Sequence, residues 1–296
     1  MDELVAVTAE STPETGAVAA TGLTAHRRGQ VIEGSPLWSD LREGLRRNRL
    51  WFILGWNDIR SRYRRTMLGP FWTVLSTATL VGALGFVNAV LWNISISTYL
   101  PYFCAGYISW LLFQTIIIES CSSIIASESI VKVVRVPYSV FLFRVLTRNV
   151  IVFGHNLTIF VLVALIFGVT VSADTLLLPV GLALAVLNYA WIGLLLAVVC
   201  ARFRDVIQLV TNVTTILFFV TPIFWQPAQL QAAPIAKFIL ADANLAYHIV
   251  DVIRAPLLGQ MPELLSFIFL GTSAVLGFVL ISLVLRPFYN RIAYWL

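Results

Sequence analysis

Six stretches of the chain are long and apolar enough to cross a bilayer, and that leaves few folds open. They cover approximately residues 71–92, 101–127, 149–169, 176–199, 207–226 and 264–285. A hydrocarbon core of ~30 Å takes about 20 predominantly apolar residues in a helix. Lipid offers no partner for backbone N–H and C=O groups, so each crossing must satisfy its own backbone, as an α-helix does. Composition agrees: 59% of the residues are apolar and 12% charged, about half the charge of a soluble domain. A length of 296 residues suits one membrane domain, with no room for a second, catalytic one. The expected fold is all-α and integral to the membrane, over residues 37–296. Residues 1–36 are polar and rich in Ala, Thr and Glu. They lack the apolar core and cleavage site of a signal peptide and read as a disordered cytoplasmic tail.

Basic residues orient the spans, because short cytoplasmic loops retain Lys and Arg. With the N-terminus inside, the inner segments 1–70, 128–148, 200–206 and 286–296 hold ten, four, two and two basic residues. The outer segments hold only Lys237 and Arg254. Both termini are therefore expected in the cytoplasm. The net charge of +5 is this positive-inside signal, and a nucleic-acid partner has little support. Of the 20 basic residues, 18 are Arg, which hints at a high-GC genome. Cys104, Cys121 and Cys200 stand apart in sequence, form no CxxC pair and read as small core hydrophobes.

Two segments fall outside the simple crossing pattern. Residues 227–262 are too many for a bare outer loop. Asn244 can cap a helix with an apolar face of Leu245, Ile249, Ile253 and Leu257, ending before Gly259. With the short apolar run Pro234–Leu240 before it, this predicts a re-entrant helical hairpin between spans five and six. Residues 41–65 place Leu41, Leu45, Phe52, Trp56, Ile59 and Tyr63 on one helical face and Arg42, Arg46, Arg49, Arg60 and Arg64 on the other. That is an amphipathic helix in the inner headgroup plane, turned into span one at Leu68-Gly69-Pro70. Its place directly before span one favours a working element over a simple anchor.

Chemistry that is missing narrows the function. Lys132 is followed by Val and Lys237 by Phe, so neither belongs to a phosphate-binding loop. No DxD, GxSxG or HExxH motif is present, and the three histidines have no ligand-like spacing, so no metal is expected. Glu119 in span two and His155 in span three are polar residues at membrane depth. Each either pairs with the other, or with Arg144 or Arg148, or else belongs to a transport pathway or a proton relay. Aromatic rings lie deep in the spans, among them Tyr107, Trp110, Phe113, Tyr189 and Phe218. They suit lipid packing and also the C–H faces of a passing sugar.

The run NDIRSRYRRTMLGPFW at 57–72 resembles the segment that leads into span one in ABC-2 type permeases that export polysaccharides. YLPYFCAGYISW (99–110), ESIVKVVRVPYSVFLFRVLTRNVIVFGHN (128–156), RFRDVIQLVTNVTTILFFVTPIFW (202–225), RAPLLG (254–259) and RIAYWL (291–296) also resemble the O-antigen exporter branch. The likeness runs from about residue 38 to the end. It implies a homodimer of six-span subunits in a bacterial inner membrane, with two separate ABC ATPase subunits binding MgATP below. It further implies a polyprenyl-linked glycan moving between the two copies, and no cofactor in this chain. By that resemblance Glu128, Lys132, Arg135 and Pro137 mark a coupling segment docking on the ATPase. The interface helix would contribute Trp56, Asp58, Arg60, Arg62, Tyr63, Arg65, Gly69 and Pro70. Tyr107, Trp110, Phe113, Glu119, Tyr189 and Phe218 are the candidate glycan-channel residues. The cargo expected is O-antigen or cell-wall galactan, with galactan slightly favoured by the Arg-rich composition. A teichoic acid or capsule exporter, or a membrane enzyme acting on lipid-linked glycans, is the alternative.

Overall fold

The computed structural model describes residues 36–64, 69, 71–230 and 232–296. The expected tail lies outside the described residues except for Pro36, as do Arg65, Leu68 and Pro70. Among the described residues all regular structure is helical.

Five helices are long and apolar enough to cross a membrane. They are α3 (Phe71–Leu91), α4 (Ile96–Ser122), α6 (Ser139–Phe167), α7 (Leu178–Arg202) and α11 (Leu264–Leu285). Spans one and six fall where the apolar runs place them. α4 begins five residues earlier than expected and carries Pro101 in its second turn, where the ring frees only the carbonyl of exposed Ser97. α6 begins ten residues earlier than expected, because Arg144 and Arg148 have partners and polar side chains do not end a helix.

α4 is the central element, packed against α3, α6, α7, α8 (Val206–Val220) and α10 (Leu245–Leu257). Lipid tails are as apolar as Leu, so helices in a membrane associate by close packing rather than by escape from water. Small residues permit that closeness. A Cβ on Gly181 of α7 would stand 2.1 Å from the Val252 carbonyl oxygen of α10. One on Gly277 of α11 would stand 2.3 Å from the Trp191 ring of α7.

The fifth apolar stretch, expected as a span over 207–226, is the 15-residue α8 followed by a non-helical segment. The helix stops at Val220 because Thr221 precedes Pro222 and is held in the extended region, at ψ 139°. Side chains hold the segment after it. Arg254 donates to the Pro222 carbonyl at 2.7 Å, Tyr99 to that of Phe224 at 2.7 Å and Tyr102 to that of Trp225 at 3.1 Å.

The amphipathic segment is two helices rather than one, α1 (Pro36–Arg46) and α2 (Asn48–Tyr63), broken at Arg47. The junction is a run of polar residues, Arg46 to Arg49, with no apolar side chain to keep it on the protein, and Asn48 turns its carbonyl oxygen to its neighbour's N–H. Leu41 and Ile59 are buried against protein, whereas Leu45, Phe52 and Trp56 stay exposed, as suits a helix lying half in lipid. Both helices pack on α6.

Between α8 and α11, α9 (Pro234–Lys237) and one π-helical turn, Phe238–Asp242, lead to α10. The Asn244 side chain caps α10 as expected, accepting from the Ala246 and Tyr247 amides. The helix is not half-exposed, however: every residue after Leu245 is buried, among α4, α7 and α11. Between α4 and α6 lies α5 (Glu128–Val133), a six-residue helix with no buried residue.

Candidate functional site

Two polar nodes tie α1 and α2 to the spans, and α5 hangs between them. In the first node Asp40 of α1 reaches the start of α6. Its carboxylate accepts the Tyr138 amide at 2.7 Å and the Ser139 amide at 2.9 Å, and the Ser139 hydroxyl donates to the Asp40 carbonyl at 3.0 Å. The first amides of a helix have no intrahelical acceptor, and the dipole favours negative charge there, so a carboxylate from another helix suits the position. Burial pushes the Asp40 carboxyl up, against the pull of its hydrogen bonds to Ser139 and Tyr289. Burial beside Asp40 likewise pushes the Tyr289 hydroxyl up, and Tyr289 packs edge-on against Tyr138.

The second node joins α2, α4 and α6. Asp58 of α2 takes both a 2.6 Å bond from Arg144 Nε and a second from its Nη2, plus 2.9 Å from Arg148 Nη1. Glu119 of α4 accepts from Arg148 and Asn149 and, at 3.2 Å, from Arg62. Of the partners the sequence allowed for Glu119, the structure selects Arg148. His155 is not among them; its Nδ1 meets the Ile151 carbonyl at 2.9 Å within its own helix. Three guanidiniums and two carboxylates thus bolt the interface helix to two spans. Gly55 makes the close approach possible, since a Cβ there would already meet the Arg144 carbonyl at 3.1 Å.

Between the nodes the chain from Ser127 to Pro137 is anchored at both ends and open in the middle. Ser127 is buried and donates to the Ser123 carbonyl at 2.9 Å; Pro137 is buried against the α6 start. Lys132, Val133, Val134 and Arg135 are exposed, Val133 at 83%. Lys132 bonds Glu128 one turn back and holds the Glu128 carboxyl below the usual carboxylate range. This tip offers two cations around an apolar knob. The Val pair was not singled out in the sequence, although exposed branched residues beside charges were its signal.

The other expected interface residues divide. Trp56 and Arg60 are exposed on α2, and Tyr63 shares a 2.8 Å hydroxyl bond with Thr73 of α3. Gly69 takes φ +54°, a left-handed turn that a side chain would strain. Arg65 and Pro70 lie outside the described residues.

The deep aromatic residues form one ring cluster joining α4, α7 and α8. Trp110 meets Phe113 at 5.1 Å and Phe218 at 5.7 Å, Phe113 meets Tyr189 at 6.2 Å, and Tyr107 meets Phe218 at 6.3 Å. Trp110, Phe113 and Tyr189 are buried within the subunit, whereas Tyr107 and Phe218 are half-buried. The Cys121 and Cys200 thiols, distant in sequence, meet between α4 and α7. At the end of α4 away from the tip, Arg254, 4% exposed, lies over the Tyr102 ring, and Asp251 accepts from Ser266 at 2.8 Å. Arg254 and Tyr102 border a cavity of about 600 Å³ with Tyr247 and Glu263. A charge flanked by apolar residues on every side of a helix is the signal for such a buried tie.

Residues 49–258 match the family model described as ABC-2 type transporter. The chain is 23% identical over 184 residues to the O-antigen export system permease protein RfbA of Myxococcus xanthus, covering 62% of this chain and 71% of that protein. It is 22% identical over 172 residues to the O-antigen export system permease protein RfbA of Klebsiella pneumoniae, covering 57% of this chain and 65% of that one, just under two thirds.

Proposed function

The chain belongs to the ABC-2 type transporter family, and from that premise we propose that it is the transmembrane subunit of an ATP-driven polysaccharide exporter. Its cargo is a polyprenyl-pyrophosphate-linked glycan of the O-antigen or cell-wall galactan kind, moved from the cytoplasmic to the outer face. Two copies of this chain form the passage, and two ABC ATPase subunits bind MgATP and dock on the exposed tip at Lys132–Arg135. The copies sit in a bacterial inner membrane with both termini inside, a placement that the distribution of basic residues supports.

The observation that carries the reading is a polar stripe on α8. Gln208, Asn212 and Thr215 recur at helical spacing along its exposed side, and Gln208 Nε2 donates to Asn212 Oδ1 at 3.1 Å. Amides facing hydrocarbon are costly, so the stripe fits water or sugar better than lipid. Tyr107 and Phe218, both half-buried, supply ring surface nearby. Trp110 then backs Phe218, with Phe113 and Tyr189 packed behind it, while Glu119 holds the ionic node at the end of α4.

A sixth crossing fits this scheme. Fifteen helical residues at ~1.5 Å each cover about 22 Å of a ~30 Å core, and the bent segment 221–225 carries the chain onward from there. Non-helical backbone at that depth is tolerated only where protein satisfies it, which Arg254, Tyr99 and Tyr102 do. α9 and α10 then form the re-entrant hairpin on the outer side.

Depletion of the gene tests the reading. Lipid-linked glycan should accumulate on the inner leaflet, and its chemistry identifies the cargo. Complementation with Asn212→Leu should restore a stable protein and only part of the export. Normal export after depletion, with no accumulated glycan, would refute the reading.

A further inference from the structure

A groove of about 1,090 Å³ runs between α1–α2 and the spans α6, α7 and α11. Its walls are almost wholly apolar and include Trp38, Leu45, Phe143, Val150 and Leu187. Trp38 and Leu45 are half exposed, so the groove is open along its side. Two cations stand at its α1 wall, Arg42 and Arg46, one helical turn apart and both exposed. The neighbouring charges are already matched: Arg47 pairs with Glu43, and Arg144 with Asp58. No described carboxylate pairs with Arg42 or Arg46 or lines the groove.

We infer that this groove is a binding site for an anionic glycerophospholipid of the inner leaflet. One acyl chain lies along the apolar wall and the phosphate sits between Arg42 and Arg46. The chemistry is complementary at both ends. A hydrocarbon chain gains by filling an apolar trough, and basic pockets between membrane helices on the cytoplasmic side take acidic head groups. A second copy of this chain would have to bring an acid for each arginine and a chain-like apolar ridge, whereas a phospholipid brings both in one molecule. The position gives the lipid leverage. α1 also carries Asp40, which caps α6 where the exposed tip ends. A lipid gripping Arg42 and Arg46 therefore secures the helix that fixes the tip.

The test uses the full-length protein in nanodiscs or mild detergent. Native mass spectrometry is expected to show phosphatidylglycerol retained about thirtyfold more tightly than phosphatidylcholine. The double variant R42Q/R46Q should abolish that preference, and R204Q/R291Q, which removes two exposed arginines that do not line the groove, should keep it. Phosphatidylglycerol with a photoactivatable acyl chain should cross-link wild-type protein in α1, α6 and α7. Equal retention of the two lipids, a preference that survives R42Q/R46Q, or cross-links confined to α3 and α8 would each overturn the inference. So would cross-links between two protein chains across the groove, which would give it to a second copy. Displacement of the lipid by inorganic phosphate alone would make the site a phosphate site instead.

Discussion

At the scale of single residues, the two carboxylates of the ionic node are not equivalent. Asp58 is the only described carboxylate that serves Arg144, and it also reaches Arg148. Glu119 shares Arg148 with Asp58, and its other cation, Arg62, is half exposed. Removing Asp58 strands a partly buried guanidinium, whereas removing Glu119 leaves Arg148 a partner. Asp58→Asn is therefore expected to cost about 2–4 kcal/mol and Glu119→Gln about 1 kcal/mol. Denaturant titration of the two variants in mixed micelles measures both, and equal losses would refute the asymmetry. The sequence named Arg144 and Arg148 as partners for Glu119, yet gave no sign that Asp58 would claim both. That pairing spans 86 and 90 residues and depends on how α2 lies on α6. Asp40 was legible in principle. It shares the i, i+3, i+4 face of Leu37, Leu41 and Gly44, all buried, and an acid on such a face needs donors.

At the scale of elements, the exposed tip is held at both ends, which suits it to the docking proposed above. Lys132→Glu with Arg135→Glu should sharply reduce co-purification of the ATPase, and Val133→Asp should do so with the cations intact. Pull-down of the partner reads both, and unchanged recovery would dismiss the tip as the contact. Asp40→Ala should loosen the frame without touching the tip, so trypsin should cut at Lys132 and Arg135 several-fold faster under native conditions. An unchanged cleavage rate would show that the cap is dispensable. Periodicity located α3 and α11 well because nothing but apolar run length decides them. It failed elsewhere for local reasons. α6 runs on through arginines that find acids, α8 halts before Pro222, and the interface segment breaks at Arg47, where four polar residues meet. The outer helix had its cap and length foreseen, but its full burial depends on three neighbours that no local pattern reveals.

At the scale of the whole molecule, α8 carries an exposed polar stripe that a lone bundle in lipid has no use for. All three cysteines are buried, so a thiol placed on the surface is the one that reacts. If α8 faces a watery passage between two copies, Asn212→Cys should react with a membrane-impermeant maleimide at least about tenfold faster than Val275→Cys on the lipid-facing side of α11, since the thiolate needs water. Equal rates would move the passage elsewhere. The pure subunit should also hydrolyse no ATP, and turnover without a partner would defeat the two-component scheme.

The stretch after Val220 has a mechanical meaning. A helix carried through that level would resist bending with every rung of its ladder. Here three carbonyls rest on the side chains of Arg254, Tyr99 and Tyr102. Trading those bonds for water frees the end of α8 while every helix stays wound. Compliance is thus concentrated in one short strap at the end of α8, away from the tip proposed to take the push of a docked ATPase.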